Sequence, residues 1–218
     1  MTLRFAEPSE RADLGAFTAR LVRLDQSAPV RLRAARGRVS AWAPTPFDVL
    51  ATRSVAAEME PADLTVPGTV LLTALEVERA AEVELAAGGL WIGSLPPDDG
   101  WALVEDIPAK ELETLTERGL TLAREHGGPL GPPASLLDQT VLTVSGSADS
   151  PVRGKVNVPM RALFALSGMG FLGGADTGAL PDGPEPVVRV WATGSWMRLD
   201  ARFGAVVRRR VTSLPLFT

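Results

Sequence analysis

Residues 49–67, VLATRSVAAEMEPADLTVP, align without gaps on residues 141–159, VLTVSGSADSPVRGKVNVP. Both segments open on Val-Leu and close on Leu-x-Val-Pro or Val-x-Val-Pro. A helical pattern follows each, GTVLLTALE after Pro67 and MRALFALSG after Pro159, with Leu71 and Leu163 at the same place in the two copies. Proline suits a helix start because its missing N–H would be unpaired there. It also restricts the residue before it to extended backbone, so Val-Pro turns a strand into a helix. Downstream, GGLWIGSLPPDDGWALV pairs with VVRVWATGSWMRL, matching Trp91 to Trp191 and Trp101 to Trp196. Each unit reads as strand, Val-Pro, helix and two Trp-bearing strands. One helix on a small sheet is marginal alone, whereas two units sharing a core are not.

The fold expected from this echo is α+β, with two related β-α-β units of mainly antiparallel sheet and one helix each. An N-terminal helix and a central connecting helix complete it. Ser9 to Leu24 sets Leu14, Phe17, Leu21 and Leu24 on one stripe behind a serine cap. PVRLRAARGRVSAWAP alternates around Arg36-Gly37 as a hairpin, and Val49 to Ala57 is a third strand. Pro108 to Glu125 is a helix whose acidic start and Arg124 near its end suit the helix dipole. The domains are expected at 1–126 (N-terminal helix, hairpin, first unit, connecting helix) and at 134–218, a pseudo-repeat of roughly 49–104. A loose Gly/Pro-rich segment runs from Gly173 to Pro186, and a final strand pair ends at Phe217.

Several chemistries are excluded by composition. The 218 residues contain no Cys, no Tyr and one His, His126, so thiol chemistry, thiolate metal sites and tyrosine acids are absent. His126 lies in REHGG, the composition of a helix end, where imidazole meets the negative dipole. A relay through Ser135 and Asp138 would need distant partners, and no G-x-S-x-G elbow supports it. GMGFLG at Gly168–Gly173 fits G-x-G-x-x-G, but it follows a helix instead of opening one, so its glycines stop a helix and bind no nucleotide. Asp98-Asp99 lies in a turn, and Glu76, Glu78, Glu82 and Glu84 form a solvated run in which Glu78 and Glu82 share a helical face. No metal, cofactor or catalytic residue is assigned.

Charge is segregated. Two of the 22 basic residues are lysines, Lys110 and Lys155, leaving 20 arginines; with the Ala and Gly content this suggests a GC-rich bacterial genome. Residues 1–40 hold eight Arg against four acids, and residues 187–218 hold six Arg against one. Arg31, Arg33 and Arg38 on the hairpin, with Arg36 at its turn, and Arg208, Arg209 and Arg210 near the last strand would form a basic patch if the two ends adjoin. Trp91 and Trp191 fall in apolar strand patterns and are expected in the core; Trp101 and Trp196, at strand starts, are expected at the surface and are candidate binding residues.

The excluded chemistries, the internal echo and the segregated charge make the leading functional reading a non-catalytic module that binds a protein partner or itself. It is expected in the cytoplasm, since the start MTLRFAEPSERADLG lacks an apolar secretory core. No apolar run is long enough to span a membrane. A second reading is an enzyme or small-molecule binder whose cleft between the units is lined by Asp, Glu and Arg, with Arg161, Asp176 and Asp182 the first candidates. A third is nucleic-acid or polyanion binding through the terminal arginines.

Overall fold

The computed structural model describes residues 2–77, 82–128, 131–146, 155–173 and 185–210. Glu78, Asp176, Asp182 and Phe217 lie outside them. The chain is α+β, with mainly antiparallel sheet and few helices. Its first part runs β1 (Thr2–Phe5), α1 (Pro8–Leu24), β2 (Pro29–Ala35), β3 (Arg38–Thr45), β4 (Val49–Glu60), β5 (Asp63–Pro67), α2 (Gly68–Val77) and β6 (Glu82–Glu84). The second runs β7 (Ala102–Pro108), α3 (Ala109–His126), α4 (Ala134–Leu137), β8 (Thr140–Ser145), β9 (Lys155–Pro159), α5 (Met160–Gly168), β10 (Val187–Ala192), β11 (Trp196–Ala201) and β12 (Gly204–Arg209).

Pro67 ends β5 immediately before α2, and Pro159 ends β9 immediately before α5. The first helical N–H after each proline finds the same kind of partner. Gly68 N donates to Ala28 O at 2.9 Å and Met160 N to Gln139 O at 2.9 Å, each carbonyl lying just ahead of the adjoining strand. An orphan N-terminal donor is thereby satisfied identically in both copies. Leu71 and Leu163 are both fully buried.

The correspondence stops after the helices. Residues 85–101 form no strand, so the expected Trp-bearing strand around Trp91 is absent, whereas Trp191 lies in β10. Glycines at 88, 89 and 93 and prolines at 96 and 97 leave too little side chain and too few N–H groups to sustain a ladder. Glu82 and Glu84 lie on the strand β6, not on a helical face. At α1 the expected serine cap is replaced by Glu7 at the cap position with Pro8 in the first turn and no side-chain cap bond. The hairpin is as expected, with Arg36 at φ 53° and Gly37 at φ 72° joining β2 to β3. At GMGFLG, Gly170 takes φ 62° and Phe171 N donates back to Leu166 O at 2.9 Å, closing α5.

One ten-stranded sheet carries both halves, in the order β5-β2-β3-β4-β12-β11-β10-β7, with β1 beside β4 and β6 beside β1; β8 and β9 form a separate pair. The long β4 presents one edge to two partners: its start pairs with β12 (Thr52 opposite Ala205, Leu50 opposite Val207) and its end with β1. The Ala56 N–H, between those ladders, donates to Glu10 Oε2 of α1 at 2.8 Å. The helices cover one face, where Leu14, Phe17, Leu71, Leu112 and Leu163 pack on Val30, Leu32, Ala41, Val55 and Val206. Replacing Leu71 or Leu163 by Ala should each lower stability by about 2–5 kcal/mol in urea unfolding, because both fill sites with little room to collapse. A near-neutral effect at either position would contradict their equivalent placement.

Candidate functional site

Strand alternation sends Ala41 and Ala43 toward the helices and Trp42 to the opposite, outer face, yet Trp42 is buried as well. Its cover is the connector, residues 85–101. A second apolar cluster forms there from Trp42, Trp196 and Val207, flanked by Leu50, Trp91, Leu95 and Trp101. The connector is fastened to β5 at its start and braced by hydrogen bonds within itself. Gly88 and Gly89 N–H groups donate to Thr65 O at 3.3 and 3.2 Å. A Cβ on Gly89 would lie 2.7 Å from Thr65 Cγ2 and 3.1 Å from Val66 backbone, so only glycine allows this approach. Trp91 Nε1 donates to Gly93 O at 3.0 Å and Trp101 Nε1 to Pro97 O at 2.9 Å.

Beside the connector lies a groove of about 330 Å³ lined by Pro44, Leu50, Trp91, Ile92, Trp196 and Val207, with Arg208 and Arg209 on its rim. Leu90 and Ile92 project outward, 76% and 84% exposed. Round the end of β12 a second cavity of about 360 Å³ shares Arg208 and Arg209 with the groove and adds Asp138, Lys155, Asn157 and Arg210.

The terminal arginines approach one connector from its two sides: the Arg31 guanidinium carbon lies 6.0 Å from the centre of the Trp91 ring, and Arg209 donates to Ser94 Oγ at 2.8 Å. Their charges are treated differently. Arg31 binds Asp63 through two hydrogen bonds of 2.9 and 2.7 Å, and Arg33 pairs with Asp98 at 3.3 Å. Arg38 donates to Ser54 Oγ and O. Arg209 lies 4.8 Å over Trp196, and Arg210 donates to the carbonyls of Thr193 and Lys155 at 2.8 and 3.1 Å. Among the described residues neither of these two, nor Lys155, has a carboxylate partner.

Arg161 is 9% exposed and acts as a tie between the halves. It donates to Phe47 O at 2.9 Å and Asp138 Oδ1 at 2.5 Å, and contacts Asp48 Oδ2 at 3.5 Å. Asp48 also accepts from Arg208 at 3.1 Å and holds a left-handed φ of 56°, a conformation Asp tolerates. Asp138 is thus committed to Arg161, and His126 is the exposed last residue of α3. No group of three His, Asp or Glu among the described residues could hold a metal, and no described helix is long and apolar enough to cross a membrane.

The tryptophan expectations need correction. Trp196 is 6% exposed at the centre of the outer cluster, since its cross-strand partner Arg209 lies over its ring, Val207 packs beside it and the connector adds further cover. Trp91 is half-buried in the connector instead of in a strand, and Trp101 is half-buried. Trp191 is half-buried on β10, with its Nε1 buried and unpartnered. The groove itself had one readable signal, the exposed pair Leu90 and Ile92 in a Gly/Pro-rich stretch.

This architecture is a sliding-clamp fold. Over 99% of its length the chain is similar to Caulobacter crescentus pol III beta (TM-score 0.56, 14% identity, 67% of that chain covered). The same share matches the Pseudomonas aeruginosa DNA polymerase sliding clamp with ligand (0.57, 14%, 66%) and the Bartonella birtlesii DnaN sliding clamp bound to griselimycin (0.56, 15%, 66%). The chain spans about two thirds of the length of these clamps, and the likeness is one of fold. It belongs to the family described as a domain of unknown function, DUF8185, whose model matches residues 96–213; a second such model, DUF8010, matches residues 1–92. No curated protein matches it. The two matched spans meet inside the connector.

Arg31 hydrogen-bonds the Asp63 carboxylate and, with its charge and that of Arg33, holds it below the ordinary carboxylate range. A lowered carboxyl value means that the pair contributes stability above roughly pH 4 and loses it as the pH falls through the lowered value. Asp63→Asn should lower stability near neutrality by no more than about 1 kcal/mol, because the pair is partly exposed. The gap from wild type should close in acid; a gap that widens there contradicts the assignment.

Proposed function

We propose that this chain is a non-catalytic, cytoplasmic, clamp-like scaffold that captures partner proteins on its outer sheet face. The groove between the connector and the β4–β12 seam is the contact surface. The observation that carries this reading is the pairing of a preformed apolar groove with exposed Ile92 on its lip and exposed Leu90 two residues away. Apolar side chains left in water beside a concave, tryptophan-lined surface mark a recognition site. Tryptophan anchors with an arginine rim are also the residue types that dominate protein interfaces.

The fold supports the same reading. Clamps of this architecture accept ligands, as the Bartonella birtlesii protein does griselimycin. The helical face offers a poorer surface for an anionic partner, since α3 carries Glu111, Glu113, Glu117 and Glu125 against Lys110, Arg118 and Arg124.

Selection of a displayed random-peptide library on the intact protein tests the proposal. Enriched peptides should shift tryptophan emission and should lose at least about tenfold in affinity on Ile92→Asp, an exposed change at the groove edge. The same loss is expected with Leu90→Asp. Enriched peptides that bind both variants as well as wild type would place the contact surface elsewhere.

A further inference from the structure

Resting on the groove being a partner-binding surface, we propose that its occupant is an extended segment of a partner protein in which an apolar residue is followed closely by carboxylates. The apolar side chain enters the tryptophan groove, and the carboxylates meet Lys155, Arg209 and Arg210 at the end of β12. Two features of this strand end point to an acidic occupant. The groove and the neighbouring 360 Å³ cavity share Arg208 and Arg209, so a short stretch of chain can reach both. At about 3.3 Å per residue, an extended peptide carries its anchor and its acids across that boundary within a few residues.

The second feature is uncompensated charge. Among the described residues the acids facing this place are Asp48 and Asp138, and both are engaged: Asp48 with Arg208 and Arg161, Asp138 with Arg161. Arg209 is held over Trp196 by stacking and by Ser94 Oγ. Arg210 is positioned by two backbone carbonyls, which orient a guanidinium without cancelling its charge. Lys155 is exposed at the cavity mouth. Three cations therefore converge with no carboxylate of their own among the described residues. The hairpin arginines differ, because Asp63 and Asp98 neutralise Arg31 and Arg33. Guanidinium groups already fixed in place bind carboxylates at low ordering cost.

The test is fluorescence anisotropy with three labelled short peptides of one apolar anchor, followed by aspartates, by asparagines or by lysines. The aspartate peptide should bind about tenfold more tightly than the asparagine peptide at low salt, with the advantage shrinking as salt rises. Lys155→Ala and Arg209→Ala should each narrow that advantage, and Lys155→Glu should move preference toward the lysine peptide. Equal binding of the aspartate and asparagine peptides overturns the charge assignment and leaves the groove as a binding surface. Failure of all three overturns both. A short duplex DNA that displaces the aspartate peptide and binds more tightly than it would mark the cations as a phosphate surface and overturn the proposal.

Discussion

The antiparallel pairing of β4 with β12 holds the arrangement together. Only three residue pairs, Thr52 with Ala205, Ala51 with Val206 and Leu50 with Val207, make this ladder. It nevertheless joins the part of the chain before the connector to the part after it in one sheet. On the inner face Ala51 and Val206 extend a single core beneath the helices; on the outer face Leu50 and Val207 lie side by side as the floor of the groove. Asp48, one turn residue ahead of β4, fixes the lower end of the seam by accepting from Arg208 and Arg161. Arg161 is deeply buried and retains one unpartnered N–H, so losing either acid would leave more of a buried charge unpaired, a costly change in an interior.

Given that seam, the connector has little freedom in where it can lie. The connector leaves β6, is held against Thr65 of β5 at one edge of the sheet and enters β7 at the opposite edge, so the chain must travel across a face. The inner face is filled by helices. Crossing the outer face buries Trp42 and Trp196 and leaves Leu90 and Ile92 at the surface. The same crossing divides the arginines into two functional sets. Those near β5 are answered by Asp63 and by the connector's own Asp98, and Arg208 by Asp48, while Arg209 and Arg210 meet a serine, an indole ring and backbone carbonyls.

Much of the architecture was legible in the chain because it follows from local chemistry. Val-Pro ahead of an apolar stripe marks a strand running into a helix, and both copies obey it. Arg36-Gly37 between alternating segments marks a hairpin turn, and REHGG marks a helix end. The connector departs from the expected strand because Leu90-Trp91-Ile92 has strand composition while its glycines and prolines deny it partners, a balance set by neighbours distant in sequence. Trp196 was expected at the surface because a strand start says nothing about what crosses over it. The neutralised and the uncompensated arginines look alike in sequence; Asp63 lies 32 residues from Arg31, and only the β2–β5 register brings them together.

The central claim is that recognition takes place on the outer face along this seam. Hydrogen–deuterium exchange of the intact protein, free and saturated with a selected apolar-acidic peptide, tests it most directly. Slowed exchange is expected in the turn around Asp48, in the connector from Leu90 to Leu95 and at the end of β12, with α1 and α3 unchanged. Protection confined to the helices, with the connector exchanging as in the free protein, would contradict it.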